Sequence, residues 1–456
     1  MQFFSNYFRL EQNQTNWKTE IVAGVTTFMT MAYIIFVNPA ILGDPKGAGM
    51  DYKGVMAATC IASGITTLLM AFIARYPIAL APGMGLNAFF SFYICGVLQV
   101  PWQIGLGIVL ISGVCCTILT LLSVRQALID AVPESLKLSA AVGIGLFIAF
   151  IGMKEAGLVK ADPNTLVTLG NLTDKPTVLA IAGLVLTLGL LVRNVRGALL
   201  WGILGTGLIG LVGGLIKYEG IVSTPELTTV FGKLNVLGAL ETKPQQFGPV
   251  TLPIFVYLTP ILVLVFFDMF DTIGTLIGLG EKAGFLKDGK LERATPALFS
   301  DAIGTVIGAI CGTSNVTSYI ESSAGISAGG RTGLANIVTA LLFFAALFFS
   351  PLAHMLGGGY EVSPGAYLYP VTAPALIIVG FLMMSCITKI QWQDYTEAIP
   401  AFFTMILMPL TFSISYGLAI GFVVYAFVKL ASGRYKDASW LVYGLALVFV
   451  AYFIWR

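Results

Sequence analysis

Residues 261–280 read ILVLVFFDMFDTIGTLIGLG, and residues 312–333 read GTSNVTSYIESSAGISAGGRTG. The first segment is apolar enough to lie inside a lipid bilayer, yet it carries Asp268 and Asp271. Asp301 lies in a further apolar run, and Glu321 lies within the second segment. A charge at the bilayer centre costs at least about 2.5–3.5 kcal/mol, so these four carboxylates are candidate functional residues. We expect the rest of the chain to be the scaffold that holds them.

The composition is that of a membrane protein. Of the 456 residues, 57% are hydrophobic and 11% are charged, and the mean hydropathy is +0.88. Soluble domains carry roughly 25% charged residues. Apolar runs of about twenty residues recur along the chain, and each is long enough to cross a hydrocarbon core of about 30 Å. Because these runs are continuous rather than alternating, they predict an all-α polytopic membrane protein and exclude a β-barrel.

Neither a metal centre nor a nucleic-acid surface is indicated. The six cysteines lie in apolar segments at spacings unlike those of a metal site, and we interpret them as small hydrophobic residues. The chain has no basic tract, and its net charge of +2 points to no particular partner. No cleavable signal precedes the first apolar run, which is therefore expected to direct insertion. We expect no metal, no cofactor and no nucleic acid, with the lipid bilayer as the surroundings.

About fourteen membrane-spanning segments can be placed along the chain. Six segments of the first half lie near 20–42, 54–75, 103–123, 135–153, 177–193 and 197–217, and the third of its seven segments follows Tyr76-Pro77. The polar interval 218–250 separates these from segments near 252–280, 296–311, 313–329, 333–355, 369–388, 398–412 and 414–431. A last apolar stretch, Trp440–Trp455, either spans the membrane or lies along its interface.

The placement of Lys and Arg predicts the orientation, because cytoplasmic loops carry an excess of both. With residue 1 in the cytoplasm, the inward loops hold sixteen basic residues, including Lys429, and the outward loops hold eight, including Lys154. Seven segments per half is an odd number, so the second half enters the membrane from the opposite side. The two halves are therefore predicted to be inverted repeats, in a multi-pass protein of the inner (cytoplasmic) membrane with a cytoplasmic N-terminus.

The third segment of each half is interrupted. Residues 79–90 read ALAPGMGLNAFF, and residues 312–323 read GTSNVTSYIESS. Proline removes a backbone donor, and glycine loosens a helix. Transporters built from inverted repeats bind substrate near the midplane, where their helices are broken. A simple kink would explain one interrupted segment, but two in matching positions favour a binding site.

The candidate acids have no basic partner nearby in the sequence, because we expect no Lys or Arg inside any predicted span and assign those at the span ends to the loops. Carboxylates removed from water without a cation take up protons, which suggests proton coupling. An anionic substrate would require Arg or Lys, so a neutral, planar solute with several N–H donors fits better. Asn87 and backbone groups would complete its hydrogen bonds. The plainer alternative, a structural carboxylate with hydrogen-bond partners, applies to Asp301 and partly to Asp268.

Three motifs closely resemble those of the adenine/guanine/hypoxanthine permease family, within the nucleobase–ascorbate transporter superfamily. They are APGMGLNAFF (81–90), FFDMFDTIGTLIG (266–278) and GTSNVTSYIESSAGISAGGRTG (312–333). The stretches GVTTFMTMAYIIFVNP (24–39) and VTAPALIIVG (371–380) extend the resemblance over nearly the whole chain. The resemblance implies fourteen transmembrane segments in two inverted repeats of seven.

The resemblance also implies a domain organisation. Residues 1–123 and 251–355 would form a core domain, 124–217 and 356–456 a gate domain with the C-terminal hydrophobic segment, and 218–250 the loop between repeats. The broken third and tenth segments would each contribute a short strand, with a purine between them. The core would slide against the gate in an elevator-like motion driven by proton symport. The gate domain would provide the surface of a homodimer.

Residues are assigned by the same resemblance. The family's eighth-segment acid falls on Asp271, its tenth-segment acid on Glu321 and its third-segment polar contact on Asn87. The predicted substrate-binding residues are Asn87, Asp271, Glu321, Gly85, Phe89, Thr317 and Ser318. The predicted proton-coupling residues are Asp271, Glu321, Asp268 and Asp301.

Two other functions stay open at this point. One is a carrier of the same fold for another nucleobase or small solute, coupled to sodium or exchanging anions, although the missing basic residues count against anions. The other is an intramembrane enzyme with two acids. Asp268 and Asp271 lie one helical turn apart on one segment, whereas paired catalytic acids normally come from separate elements, so we do not expect an enzyme. The motifs do not fix which purine is preferred.

Overall fold

The computed structural model of the chain describes residues 2–122, 132–240, 253–287, 290–363 and 366–455. Eight described helices are long and apolar enough to cross a membrane: Trp17–Gly43, Tyr52–Ala74, Trp102–Leu121, Glu134–Glu155, Lys175–Val192, Tyr257–Ala283, Ala294–Cys311 and Gly333–Gly357. Shorter apolar helices accompany them at Met84–Val97, Ala198–Val212, Ala373–Lys389, Tyr395–Leu410, Tyr416–Ala431 and Trp440–Ala451. The predicted helical, multi-pass fold is confirmed. The domain boundaries predicted at 123–124 and 250–251 fall outside the described residues.

In the first half, the elements are α1 (Gln2–Phe8), α2 (Trp17–Met31), α3 (Ile34–Gly43), α4 (Tyr52–Leu69), β1 (Leu80–Pro82), α5 (Met84–Ala88), α6 (Trp102–Leu121), α7 (Glu134–Glu155), β2 (Val159–Asp162), β3 (Leu166–Leu169), α8 (Lys175–Val192) and α9 (Ala198–Val212). Two of them, α4 and α5, continue as π-helices over Met70–Ala74 and Phe89–Val97. A short helix, α10 (Val236–Leu240), follows in the interval between the halves.

In the second half, the elements are α11 (Pro253–Ala283), β4 (Leu286–Lys287), β5 (Lys290–Leu291), α12 (Ala294–Cys311), β6 (Val316–Ser318), α13 (Ser322–Ser327), α14 (Gly333–Ala346), α15 (Ser350–Gly357), β7 (Tyr360–Ser363), β8 (Ala366–Leu368), α16 (Ala373–Met383), α17 (Tyr395–Leu410), α18 (Ile414–Ala431) and α19 (Trp440–Trp455). A 3₁₀ turn, Leu347–Phe349, joins α14 to α15, and another, Met384–Lys389, extends α16.

The first span differs from the single continuous segment predicted near 20–42. Helix α2 ends at Met31 and α3 begins at Ile34, with Tyr33 in the turn between them. The Phe36 amide bonds the Tyr33 carbonyl at 3.1 Å, a three-residue spacing tighter than that of an α-helix. The span therefore crosses the membrane as two consecutive helices with an irregular turn near its middle.

Several lysines that were assigned to loops lie near the ends of helices, and two of them have clear partners. Lys154 is in the last turn of α7, and its ammonium group lies 5.3 Å from the centre of the Phe92 ring. Lys429 is in the last turn of α18, is buried, and lies 2.7 Å from the carboxylate of Glu397 on α17. The prediction that no basic residue lies inside a span is therefore wrong at helix ends. A lysine is accepted there because its ammonium group finds an acid or an aromatic ring.

The two halves meet through β1 and β6, which pair antiparallel. The remaining sheets of the described chain are local hairpins, formed by β2 with β3, β4 with β5, and β7 with β8. Helix α12 packs on α4 and α6, and α14 packs on α2 and α4, whereas α7 packs on α16 and α17. The first set of contacts joins helices assigned to the core, and the contacts of α7 join helices assigned to the gate. Movement of the core against the gate stays a prediction.

Asn336 on α14 holds the chain that leads into β1. Its buried side-chain amide donates to the carbonyl of Tyr76 at 3.0 Å and to that of Ile78 at 2.7 Å. Extended chain has no internal hydrogen bonds, so its buried carbonyls require donors from elsewhere. Asn336 supplies two of them, which positions β1 for pairing with the second half.

We expect Asn336→Leu to lower the thermal unfolding temperature, because two buried carbonyls lose their donor at about 1–3 kcal/mol each. Asn13→Leu is the matched control. Asn13 also donates to two backbone carbonyls, those of Phe8 and Arg9, but it is only partly buried, so water replaces it. Unfolding of the purified protein, followed by tryptophan fluorescence, measures both variants. Equal destabilisation would contradict the role given to Asn336.

Candidate functional site

The candidate site is built around the crossing of β1 and β6. Ala81 lies opposite Thr317 at the centre of the ladder, and the Gly83 amide extends the pairing by donating to the Asn315 carbonyl at 2.9 Å. A Cβ atom at position 83 would lie 2.8 Å from Cγ2 of Thr317, so glycine is required for this close approach. The short strands predicted for the broken segments are confirmed.

A helix begins close to the end of each strand. Helix α5 begins at Met84, directly after β1, and α13 begins at Ser322, shortly after β6. The first N–H groups of a helix have no partner within the helix, and they carry a partial positive charge. The strand crossing therefore lies beside two helix N-termini, one from each half of the chain.

Glu321 lies between β6 and α13, and the first span contacts it twice. The Tyr33 hydroxyl donates to Oε1 of Glu321 at 2.6 Å. The Thr30 hydroxyl donates to the Glu321 backbone carbonyl at 3.2 Å. Tyr33 is buried, whereas Glu321 is half-buried. The last turn of α2 and the irregular turn that follows it thus contact both the backbone and the side chain of this acid.

Asp271 projects from α11 towards the same region. The Thr317 hydroxyl is its hydrogen-bonding neighbour, and Asp301 and Glu321 are its charged neighbours. Thr317 also lies 3.1 Å from Thr272, measured between the two Oγ1 atoms. Asp271 of α11 is therefore brought close to Thr317 and Glu321, which both belong to the broken tenth segment.

Asp301 and Asp268 are fully buried and hold β6 in place. Oδ1 of Asp301 accepts the Ser318 amide at 3.1 Å and its hydroxyl at 3.4 Å. The Thr305 hydroxyl lies within hydrogen-bond distance of two acceptors, Oδ1 of Asp268 at 3.4 Å and the Val316 carbonyl at 3.1 Å, which share its single proton. These contacts give both acids a structural role, and their part in proton coupling stays a prediction. Ser318 is engaged by Asp301 rather than by the Asp271–Glu321 pair.

Asn87 belongs to a buried polar network beside the strand crossing. Its amide donates to Oδ1 of Asn38 at 2.5 Å, and its Oδ1 accepts the Ser314 hydroxyl. Asn38 in turn donates to the hydroxyls of Thr59 at 2.7 Å and Thr313 at 2.9 Å. In this conformation Asn87 therefore connects the third segment to the first and the tenth, and direct contact with a substrate stays a prediction.

The other two predicted contacts on the third segment pack against protein. A Cβ atom on Gly85 would lie 2.5 Å from Cγ2 of Ile144 on α7, so this glycine lets the two helices approach each other. Phe89 is buried and stacks on Tyr93, with ring centres 5.0 Å apart. Both residues are packed against protein in this conformation, and their contact with a ligand stays a prediction.

Sequence reasoning missed four polar residues, of which Tyr33, Glu20 and Glu155 are buried and Thr30 is half-buried. Tyr33 and Thr30 lie within the motif GVTTFMTMAYIIFVNP. Polar residues within this apolar run were the feature of the sequence that could have indicated them. Glu20 accepts the backbone amides of Arg331 at 2.9 Å and Ala335 at 3.2 Å, so it caps the start of α14. Glu155, the last residue of α7, is also buried. The buried acids of the described chain are thus more numerous than the four predicted from the sequence.

The site presents a cluster of oxygen atoms at the depth where both broken segments cross. Ionised carboxylates only accept hydrogen bonds, and hydroxyls both donate and accept. A ligand that offers N–H donors to Asp271 and Glu321 and acceptors to nearby hydroxyls would satisfy both kinds of group. Like charges held close together also disfavour simultaneous ionisation. The arrangement is therefore suited to a neutral, N–H-rich ligand and to holding a proton.

Comparisons with known proteins agree over almost the full length of the chain. A putative permease of Methanocaldococcus jannaschii is 50% identical, with 100% of this chain and 99% of that protein covered. A guanine/hypoxanthine permease of Bacillus subtilis is 42% identical, with 98% and 99% covered. An adenine permease of Escherichia coli is 41% identical, with 97% and 94% covered.

A sequence model described as "Permease family" matches residues 18–420. Among solved structures, the transmembrane domain of a cyanobacterial bicarbonate transporter superposes on this chain with a TM-score of 0.59. The superposition covers 88% of this chain and 96% of the transporter domain. Its sequence is 14% identical, so the likeness concerns the fold alone. That shared fold agrees with the architecture of broken, crossing segments.

Asp301→Asn and Asp301→Leu should separate the structural role of this acid from a role in coupling. Asparagine retains an oxygen for the Ser318 amide, whereas leucine leaves that buried N–H without its acceptor, at about 1–3 kcal/mol. We expect the Leu variant to unfold at a lower temperature and the Asn variant to keep stability and solute uptake. Loss of uptake by a fully folded Asp301→Asn protein would instead make this carboxylate part of the coupling machinery.

Proposed function

This chain belongs to the permease family, and we propose that it carries purine nucleobases across the cytoplasmic membrane together with protons. The observation that supports this most directly is the cluster of Asp271, Glu321 and Thr317 beside the crossing of β1 and β6. The names of the Bacillus and Escherichia relatives support the same substrate class. Membership of a permease family also indicates a transporter rather than an enzyme.

The proposed recognition uses complementary hydrogen bonds. A purine base is planar and neutral, and it carries both N–H donors and ring-nitrogen acceptors. Asp271 and Glu321 would accept N–H groups, and hydrogen bonds to an ionised partner are about twice as strong as neutral ones. Such bonds offset part of the cost of removing a carboxylate from water. Hydroxyls of Thr317 and Thr272, held 3.1 Å apart, are the neighbouring groups that would face the ring nitrogens.

The proposed coupling ion is the proton. Asp271 has two acids, Asp301 and Glu321, among its electrostatic neighbours, so full ionisation of the group is unfavourable. Binding of one proton relieves this repulsion and leaves a carboxylate free to accept from the purine. Protonation drives transport only if it changes the relative stability of the outward-facing and inward-facing states. We propose that Asp271 and Glu321 share this proton.

The proposed motion is a displacement of the core against the gate. The core would contain α2 to α6 and α11 to α15, which hold both strands and all four candidate acids. In the gate, a Cβ atom on Gly380 of α16 would lie 2.3 Å from the Gly145 carbonyl of α7, so these two backbones are in direct contact. That contact supports a rigid gate, which we propose also forms the surface of a homodimer. The N-terminus would be cytoplasmic.

The decisive experiment measures uptake of radiolabelled adenine, guanine and hypoxanthine into proteoliposomes that contain the purified protein. We expect Asp271→Asn and Glu321→Gln each to reduce uptake at least tenfold, because each removes a charged acceptor worth about 1.5–3 kcal/mol. Asp162→Asn, at the exposed β2–β3 turn, is the control acid and should transport normally. Uptake close to the wild-type level in both site variants would refute the binding site.

The same vesicles identify the coupling ion. We expect purine addition to acidify the lumen of vesicles that contain a pH-sensitive dye, and a proton gradient to drive accumulation without sodium. Purine-dependent sodium influx without acidification would identify sodium, rather than the proton, as the coupling ion. Competition of labelled adenine with unlabelled guanine, hypoxanthine, xanthine and uracil then ranks the substrates.

A further inference from the structure

Tyr33 contacts the site from an element outside the two broken segments. It lies in the turn between α2 and α3 and is 1% exposed, although its side chain ends in a polar group. Its hydroxyl donates to Oε1 of Glu321 at 2.6 Å, across 288 positions of the sequence. A buried tyrosine hydroxyl requires a partner, and here the partner is an acid of the proposed substrate site.

The turn that carries Tyr33 is itself anchored to Glu321. The Thr30 hydroxyl, in the last turn of α2, lies within hydrogen-bond distance of the Glu321 carbonyl at 3.2 Å and of the carbonyls of Thr27 at 2.9 Å and Thr26 at 3.1 Å in its own helix, and these three acceptors share its single proton. Backbone and side chain of the acid are therefore held from one side by one irregular turn. A tyrosine in such a position sets the direction in which the carboxylate faces.

The titratable groups around Glu321 come from three elements. Tyr33 belongs to the first span, Asp271 to α11, and Tyr319 to the segment of Glu321 itself. The Tyr319 hydroxyl donates to the backbone carbonyl of Pro82, so it is committed to the strand crossing. Asp271 repels a second negative charge. Tyr33 is therefore the hydroxyl donor that the described structure places on the Glu321 carboxylate.

We propose that Tyr33 is a positioning residue that orients Glu321 towards the substrate and sets the pH range over which this acid exchanges its proton. A donor to an ionised carboxylate stabilises the charged form, and its removal favours the protonated form. The proposal rests on the proposed function, because it assigns to Tyr33 a role in substrate binding and coupling at that site.

The test compares Tyr33→Phe with Tyr52→Phe. Tyr52 is a matched control, because its hydroxyl also joins separate segments: it lies within hydrogen-bond distance of the carbonyls of Ala353 at 2.8 Å and Phe36 at 3.1 Å, and it donates to a backbone carbonyl rather than to an acid. Purine uptake by the full-length protein in proteoliposomes is measured at several purine concentrations between pH 5 and pH 9. Purine-induced thermal stabilisation over the same pH range provides a second measurement where uptake is too slow.

We expect Tyr33→Phe to raise the KM for purine about tenfold and to move the alkaline midpoint of uptake upwards by roughly one pH unit. Tyr52→Phe should lower the unfolding temperature without moving the pH midpoint. An unchanged pH profile and KM in Tyr33→Phe, with purine uptake by the wild type intact, would overturn the role of Tyr33 alone. Absence of purine uptake by the wild-type protein would overturn both proposals.

Discussion

The structure depends on the backbone hydrogen bonds that join β1 to β6 inside the membrane. In hydrocarbon each unsatisfied N–H or C=O group costs several kcal/mol, so a spanning helix is broken only where other groups replace its lost bonds. The two strands satisfy each other, with Leu80 opposite Ser318. Side chains satisfy the flanking groups, since Ser322 accepts the Ala79 amide at 3.0 Å and Thr67 accepts the Leu80 amide at 3.0 Å. These replacement hydrogen bonds allow both segments to break inside the membrane.

The need to satisfy buried polar groups also distinguishes the carboxylates that lie close to the strand crossing. Asp301 accepts a backbone amide of β6 and is fully buried, so it replaces a hydrogen bond that the broken helix has lost. Asp271 and Glu321 have hydroxyl neighbours and are only half-buried, which leaves them available to a ligand. The partner of each carboxylate therefore distinguishes the acid that supports β6 from the two that we propose to bind substrate.

Much of the fold could be predicted from the sequence, because membrane spans and their Pro/Gly interruptions are local signals. The broken third and tenth segments were found in this way, and Asp271, Glu321 and Thr317 do lie together. The turn at Tyr33 was missed, since MTMAYII contains neither Pro nor Gly, and its contact with Glu321 is made across the two halves of the chain. The partners of Asn87 and the burial of Lys429 were missed for the same reason, because they are set by tertiary packing. Local patterns carry no information about contacts so distant in the chain.

Pairing of β1 with β6 also affects how the protein is made. Translation delivers β1 about half a chain before its partner, so the first half enters the bilayer with a strand whose hydrogen bonds are not yet formed. Contacts between distant parts of a chain are slow to form. The nascent chain must therefore keep Leu80–Pro82 away from lipid until Val316–Ser318 has been inserted from the opposite side. Completion of the second half, rather than insertion of individual helices, is the step that commits this polypeptide to its native topology.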